Sequence, residues 1–418
     1  MGTLVVLQHA SYPRRATLRC ALMNSAINAL PNWLSAAKSF QYLHSVLTIL
    51  AEREAARDQA RSLARQVSAS KRALTKSDGL AFHYSVCVGC NPENASRNRY
   101  IQLEAYDRTR VIVSTQGLEG RYLNANWVLE RSGHKWWIAT QAPLPSTIYA
   151  FLSLIVHPSA CAGPEFTIQT DPQIRLPFKS RVRTVVQLTR DFEGGRRKAH
   201  AYFPSEVGKS MVITPEEGCT TPAFKVTLLE SRSFPEARCI QSTVSVALVN
   251  DQDAAAEEAT QDGSKNYHGE SHVIFRHMLY TSWPDHGVPN KKEQASVISF
   301  AQLVDSVNKD TTYVSQTEGT IDPDPPIIVG CSAGIGRTGS FIVLNSLLRS
   351  FGRLPATSFL TPISSLPPSP LGPLPASLAN DLVAQEVDSL RDQRPRMVER
   401  DEQVLFIYDA LTAALGAS

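Results

Sequence analysis

The stretch that most constrains this 418-residue chain is "IIVGCSAGIGRTGS", from Ile327 to Ser340. Three apolar residues run into a turn crowded with glycine, and an apolar-periodic segment, "TGSFIVLNSLLRSF", follows at once. Such a pattern reads as a buried strand, a tight turn and a helix packed back over the sheet. Gly334, Gly336 and Gly339 satisfy G-x-G-x-x-G, yet no Asp or Glu lies between Gly339 and Asp381. A dinucleotide site needs an acidic residue about 20 positions on to hold the ribose, so that reading fails. A nucleotide P-loop fails too, because Gly339 is followed by Ser340 where Lys-Ser/Thr is required.

What remains is a turn whose backbone N–H groups, from Ser332 through Ala333, Gly334, Ile335 and Gly336 to Arg337, can converge at a helix N-terminus. Unsatisfied amides and the positive helix end together make an anion cradle. Arg337 adds a planar fork suited to two phosphate oxygens. The same positive surroundings favour the thiolate of Cys331, so a nucleophile faces a bound phosphate. Phosphoryl transfer also needs a proton donor for the leaving oxygen. Asp285, between Pro284 and His286-Gly287 in "YTSWPDHGVP", is the candidate, in a segment that reads as a turn or loop.

Composition bounds the alternatives. The chain is 43% hydrophobic and 19% charged with net charge +3, which gives no reason to expect nucleic acid. No segment approaches the about 20 apolar residues a membrane span requires. Seven scattered cysteines fit a reducing compartment better than a disulfide framework. Cys87-Val88-Gly89-Cys90 is a C-x-x-C, but no second pair or nearby His completes a metal site. The first acidic residue is Glu52, and Arg14, Arg15, Arg19 and Lys38 precede it. Residues 1–44 therefore read as a poorly ordered extension, with organelle targeting by residues 1–40 the alternative.

Residues 45–73 are rich in helix formers and predict one long helix or two short ones. Strand-like runs such as "KWWIATQ", "RTVVQLT" and "PIIVG" then mix with helical ones such as "KKEQASVISFAQLVDSV". They do not strictly alternate, which predicts an α/β fold with a twisted mixed sheet flanked by helices. Residues 157–180, 250–270 and 355–380 look inserted. The last is Pro/Ser-rich and is expected to be unstructured, with P-x-x-P spacings in 362–375 that could dock an SH3-like partner.

The motifs resemble, in order, those of the cysteine-dependent, tyrosine-specific protein tyrosine phosphatases of non-receptor type. Cys331 to Arg337 matches the C-x5-R signature, and Trp283-Pro284-Asp285 matches the movable acid loop. Asn98-Arg99-Tyr100 with Ala105-Tyr106-Asp107 resembles the phosphotyrosine-recognition loop. "EGGRRKAHAYFP", with Glu193 and Lys198, resembles the loop whose glutamate braces the signature arginine, and "RMVERDEQVLFIYDAL" the C-terminal glutamine loop. The matches run from about residue 75 to the end, which implies one catalytic domain over 45–418.

By that resemblance Cys331 attacks phosphorus to form a cysteinyl-phosphate, and Asp285 acts as acid and then as base. Thr338 assists thiolate departure, and Tyr100 lines a pocket too deep for phosphoserine. Gln403 belongs to the hydrolytic loop, and neither cofactor nor metal is implied. Phosphotyrosine-containing proteins are the implied partners and the cytoplasm, or the nucleus, the implied location. The sequence also departs from the family. Gly330 stands where His is usual, Gln102 where Asp or Asn is usual, Glu399 where Gln is usual, and Ala105 where Pro is usual. A catalytically impaired phosphotyrosine binder is therefore the rival reading, since Glu399 would oppose an anionic ligand.

Overall fold

The computed structural model describes residues 30–115, 118–156, 181–216, 221–249, 272–285, 287–314, 322–358 and 366–416. Eight strands form its central sheet. In chain order they are β1 (Ala125–Leu129), β2 (Trp136–Gln141), β3 (Thr184–Gln187), β4 (Ser210–Ile213), β5 (Phe224–Phe234), β6 (Cys239–Leu248), β7 (His272–Tyr280) and β8 (Ile327–Cys331). Side by side they run β1-β2-β8-β3-β7-β6-β5-β4. The inner four, β2, β8, β3 and β7, are parallel, and the flanking pairs are antiparallel. The sheet is mixed, as the non-alternating pattern predicted.

A parallel strand inside a sheet must be covered on both faces, and β8 shows how. Ile327 and Val329 enter one core cluster while Ile328, pointing the other way, enters the second. The principal helices are α1 (Phe40–Ala69), α2 (Ile148–Val156), α3 (Gln294–Lys309), α4 (Gly336–Ser350), α5 (Leu382–Gln393) and α6 (Asp401–Gly416). Residues of α3, α4, α5 and α6 fill the first cluster, and α2 packs with Trp127, Phe224 and Phe275 in the second. Buried from Gly336 to Arg349, α4 is the rigid base on which the glycine-rich turn sits.

The ordered fold begins earlier than residue 45. Leu34 lies in the first cluster, and Ser39 caps α1 by accepting from the Tyr42 amide. Arginines at four-residue spacing along α1 then bind it to the domain. Arg53 pairs with Asp388 at 2.8 Å, and the fully buried Arg57 pairs with Asp388 and Asp392, both at 2.7 Å. Burial of such charges is tolerable because each is matched and hydrogen-bonded.

The described part of the Pro-rich stretch is docked, where the sequence suggested no structure. Leu366, Leu371 and Leu374 each pack against a core cluster, and Leu378 is fully buried. Arg53 donates to the carbonyls of Leu371 (3.2 Å) and Gly372 (2.8 Å). Leucines between the prolines give anchors that a composition-based reading discounts. A turn closed by Gly372 N to Ser369 O at 2.9 Å bends the chain between the P-x-x-P spacings. Residues 1–29, 157–180, 250–271 and 359–365 lie outside the described residues, and with them both of the other expected insertions. Cys87 and Cys90 share one short helix as free thiols. No described helix is long and apolar enough to cross a membrane.

Candidate active site

At the end of β8, Cys331 is 6% exposed, and α4 opens five residues later. The turn between them fits closely against β2. A Cβ on Gly330 would lie 2.7 Å from the Thr140 carbonyl oxygen, and one on Gly334, at φ +72°, only 2.1 Å from it. Glycine is required at both places by the approach of a neighbouring backbone, and at Gly334 also by the left-handed conformation. The Ala142 amide ties the turn to the end of β2 by donating to the carbonyls of Cys331 (3.0 Å) and Ser332 (3.1 Å).

Beneath the turn lies Arg394, a residue that sequence reasoning passed over. It is fully buried and donates to the carbonyls of Gly334 at 2.7 Å and Ala333 at 3.1 Å. Its other donors reach Asn126 Oδ1 (2.7 Å) and Asn124 Oδ1 (3.0 Å). With these carbonyls drawn down to a guanidinium, the amides on the same peptide planes face the other way, into the bowl. Burial pulls the Arg394 pKa down to about 10, with Tyr122 and Cys331 opposing the fall. Within "DQRPRM" Arg394 carries no motif or periodicity that could have marked it.

Arg337 leaves the first turn of α4 and meets Glu193 as a bidentate pair at 2.9 and 2.8 Å. It also donates to the carbonyls of Leu188 (3.0 Å), Pro284 (2.8 Å) and Asp285 (3.0 Å). Burial disfavours its charge, but Glu193, Cys331 and Asp285 outweigh burial and hold it above the ordinary arginine value. Glu193 is presented by a two-strand hairpin, Phe192–Glu193 against Arg196–Arg197, turned by Gly194 and Gly195.

The Trp283-Pro284-Asp285 loop lies over this pair. Trp283, 5% exposed, packs edge-on against Phe406 and Tyr280 and anchors the loop in the core. Asp285 Oδ1 lies 2.6 Å from Lys198 Nζ and 3.7 Å from Arg337. Tyr100 stands at the rim, its hydroxyl 2.7 Å from Ser332 Oγ. Ser332 spends its own proton on the Lys198 carbonyl at 2.8 Å, so Tyr100 is the donor of that pair. Gln141, at the end of β2, holds the recognition loop by accepting from the Arg99 amide at 2.9 Å and donating to Arg97 O at 2.8 Å.

Cys331, Ser332, Arg337, Glu193, Asp285, Lys198 and Tyr100 are thus gathered at one mouth. Thr338 is fully buried, and its hydroxyl has no hydrogen-bond partner among the described residues. The Gln403 amide packs so closely on Gly336 that a Cβ there would lie 2.7 Å from its nitrogen. Gln102 and Glu399 are exposed. Glu399 lines a groove of about 260 Å³ against α1, with Leu50, Asp58, Arg391 and Arg396.

A model of the protein-tyrosine phosphatase family matches residues 94–161 and 175–365, more than half of the chain. Among similar proteins, human tyrosine-protein phosphatase non-receptor type 14 is 30% identical over 258 residues, which are 60% of this chain and 17% of that protein. Tyrosine phosphatase H2 of Microplitis demolitor bracovirus is 30% identical over 261 residues, 62% of this chain and 64% of the viral protein. Tyrosine-protein phosphatase 1 of Dictyostelium discoideum is 30% identical over 289 residues, 67% of this chain and 46% of its own. This chain therefore spans less than two thirds of the length of each of these relatives. Since the matched stretches take in the strand, the glycine-rich turn and the loops gathered over it, the chain belongs to the protein-tyrosine phosphatase family.

Proposed function

We propose that the chain hydrolyses phosphotyrosine in proteins through a phosphocysteine at Cys331. The observation that carries this reading is the clamp on Arg337. Glu193 fixes its guanidinium from one side, and the carbonyls of Pro284 and Asp285 fix it from the other. One arginine thereby registers the phosphate cradle and the acid loop to each other.

In the first step Cys331 Sγ bonds to phosphorus while the bond from phosphorus to the tyrosyl oxygen breaks. Asp285 gives its proton to that oxygen as it leaves. The equatorial oxygens, where charge accumulates, meet the cradle amides and Arg337. In the second step water attacks phosphorus, the S–P bond breaks and Asp285 takes the water's proton, releasing inorganic phosphate. Thr338, with its buried and unpartnered hydroxyl, can donate to the departing thiolate. Gln403 orients the attacking water in this reading, which its packing against Gly336 supports.

Tyr100 supplies an aromatic wall for the substrate ring, and the depth from that wall to Cys331 disfavours the shorter phosphoserine. Reduced thiols at Cys87, Cys90, Cys239 and Cys331 fit cytoplasmic substrates. The test is steady-state turnover of a phosphotyrosyl peptide by the purified chain beside Cys331→Ser. The reading requires turnover by the first, none by the second, and peptide binding by both. Turnover that survives Cys331→Ser, or an inert wild-type chain, defeats it.

A further inference from the structure

Tyr100 is slung between two anchors, and only one belongs to the sheet. On its N-terminal side, Gln141 holds the Arg99 amide, and the Arg99 side chain reaches the carbonyls of Ala142 (3.1 Å) and Pro143 (2.9 Å). On its C-terminal side the chain reverses at once. Ile101 is 89% exposed, and Gln102 adopts φ +65°, a left-handed conformation that a residue with a Cβ rarely takes. Such a conformer persists only where its surroundings impose it.

Two side chains impose it here. Glu104, 7% exposed, accepts from the Gln102 amide through Oε1 at 3.2 Å. Its Oε2 receives Arg65 from α1 at 2.7 Å, and the same guanidinium nitrogen donates to the Gln102 carbonyl at 3.2 Å. Arg65 and Glu104 thus grip both polar groups of one strained residue, two positions after Tyr100. Arg65 is the last of the arginines at four-residue spacing on α1, and Arg53, Arg57 and Arg61 fasten that helix to the domain. The grip therefore joins the loop's own Glu104 to a helix that the domain holds in place.

We propose that Arg65, acting through Glu104, is a positioning residue for phosphotyrosine recognition: it fixes the chain reversal at Gln102 that holds Tyr100 upright at the mouth. The proposal rests on the phosphatase reading above. Arg65 touches neither Cys331 nor Asp285, so its loss should act on substrate capture and spare the chemical step. The capture term should move about five- to ten-fold, the worth of one ordinary net hydrogen bond, since the Arg65 side of the pair is partly open to solvent.

The experiment compares wild type, Arg65→Ala, Arg65→Lys and Glu104→Gln on a phosphotyrosyl peptide, with melting temperature recorded for each. Arg65→Ala should raise KM about five- to ten-fold and leave kcat within about two-fold. Arg65→Lys, which can still reach the carboxylate, should recover most of the loss. Glu104→Gln keeps an acceptor for the Gln102 amide but loses the charge, and should fall between them. An unchanged KM in Arg65→Ala overturns the proposal. So does a fall in kcat that tracks a lowered melting temperature, or an Arg65→Lys as impaired as Arg65→Ala. An inert wild-type chain would instead refute the phosphatase reading beneath it.

Discussion

Replacing Gly330 with alanine should damage this protein through a single contact. Gly330 lies mid-sheet, opposite Thr140 of β2 on one side and Gln187 of β3 on the other. Its φ lies outside the left-handed region, so alanine meets no backbone obstacle. The added Cβ, however, lies 2.7 Å from the Thr140 carbonyl oxygen, and that atom is backbone and cannot swing aside. Strand β2 must then move outward. Overpacking of this kind costs about 1–3 kcal/mol, and alanine returns about 0.4–1 kcal/mol by stiffening the unfolded chain. The net loss is about 1–2 kcal/mol. Because Gln141 at the end of β2 holds the Tyr100 loop, kcat/KM on a phosphotyrosyl peptide should fall by about ten-fold as well. Gly330→His, which brings the residue usual in the family, carries the same Cβ and should do no better. Gly334→Ala should be worse by about 1–2 kcal/mol, since it adds a left-handed φ to a 2.1 Å approach. Urea unfolding and steady-state kinetics on the three variants settle the point. A Gly330→Ala protein equal to wild type in both, or a milder Gly334→Ala, refutes the packing argument.

Asp285→Ala should lower kcat on a phosphotyrosyl peptide by about 10²–10⁴-fold, and by much less on aryl phosphates with acidic leaving groups; an equal loss on both would remove Asp285 from proton donation. Arg394→Met strips the donors from four buried acceptors and should destabilise the fold by about 3 kcal/mol or more, read as a lower urea midpoint at unchanged slope. Glu130, accepting from Trp137 Nε1 at 2.8 Å, is pushed by burial from the ordinary 4.5 up to about 7, against the pull of Arg349. The folded protein therefore holds a proton there that the unfolded chain has released, so stability falls as pH rises from 4.5 to 7, by about 3 kcal/mol. Glu130→Gln keeps the acceptor for Trp137 and should flatten that part of the pH–stability curve; an unaltered curve would show that Glu130 does not titrate there.

The nucleophile and the arginine were legible because residues 327–340 carry strand, turn and helix in consecutive order, and local patterning suffices for that. Asp285 was only a plausible turn acid until the surrounding motifs gave it a family context. The partner of Arg337 shows the limit more sharply. Glu193 lies 144 residues away, and no spacing or periodicity connects the two; only the resemblance of its loop to the family's paired them. Arg394 had neither spacing nor motif to mark it, since its importance arises where it meets the turn and not within its own segment. The N-terminal boundary was set too late because basic, alanine-rich sequence resembles a loose extension, while Leu34 shows what a single apolar anchor can hold. In the Pro-rich stretch, composition concealed the leucines that fix residues 366–378 to the domain.

The central claim is a covalent bond between Cys331 and phosphorus, and it can be caught directly. Rapid acid quench of the wild-type chain, mixed with a phosphotyrosyl peptide carrying labelled phosphate, should leave label on the protein within the first turnover. Peptide mapping should place it on Cys331, and Cys331→Ser should take up none. Tyrosine and phosphate released in step, with no labelled protein at any time and full turnover, would contradict the account.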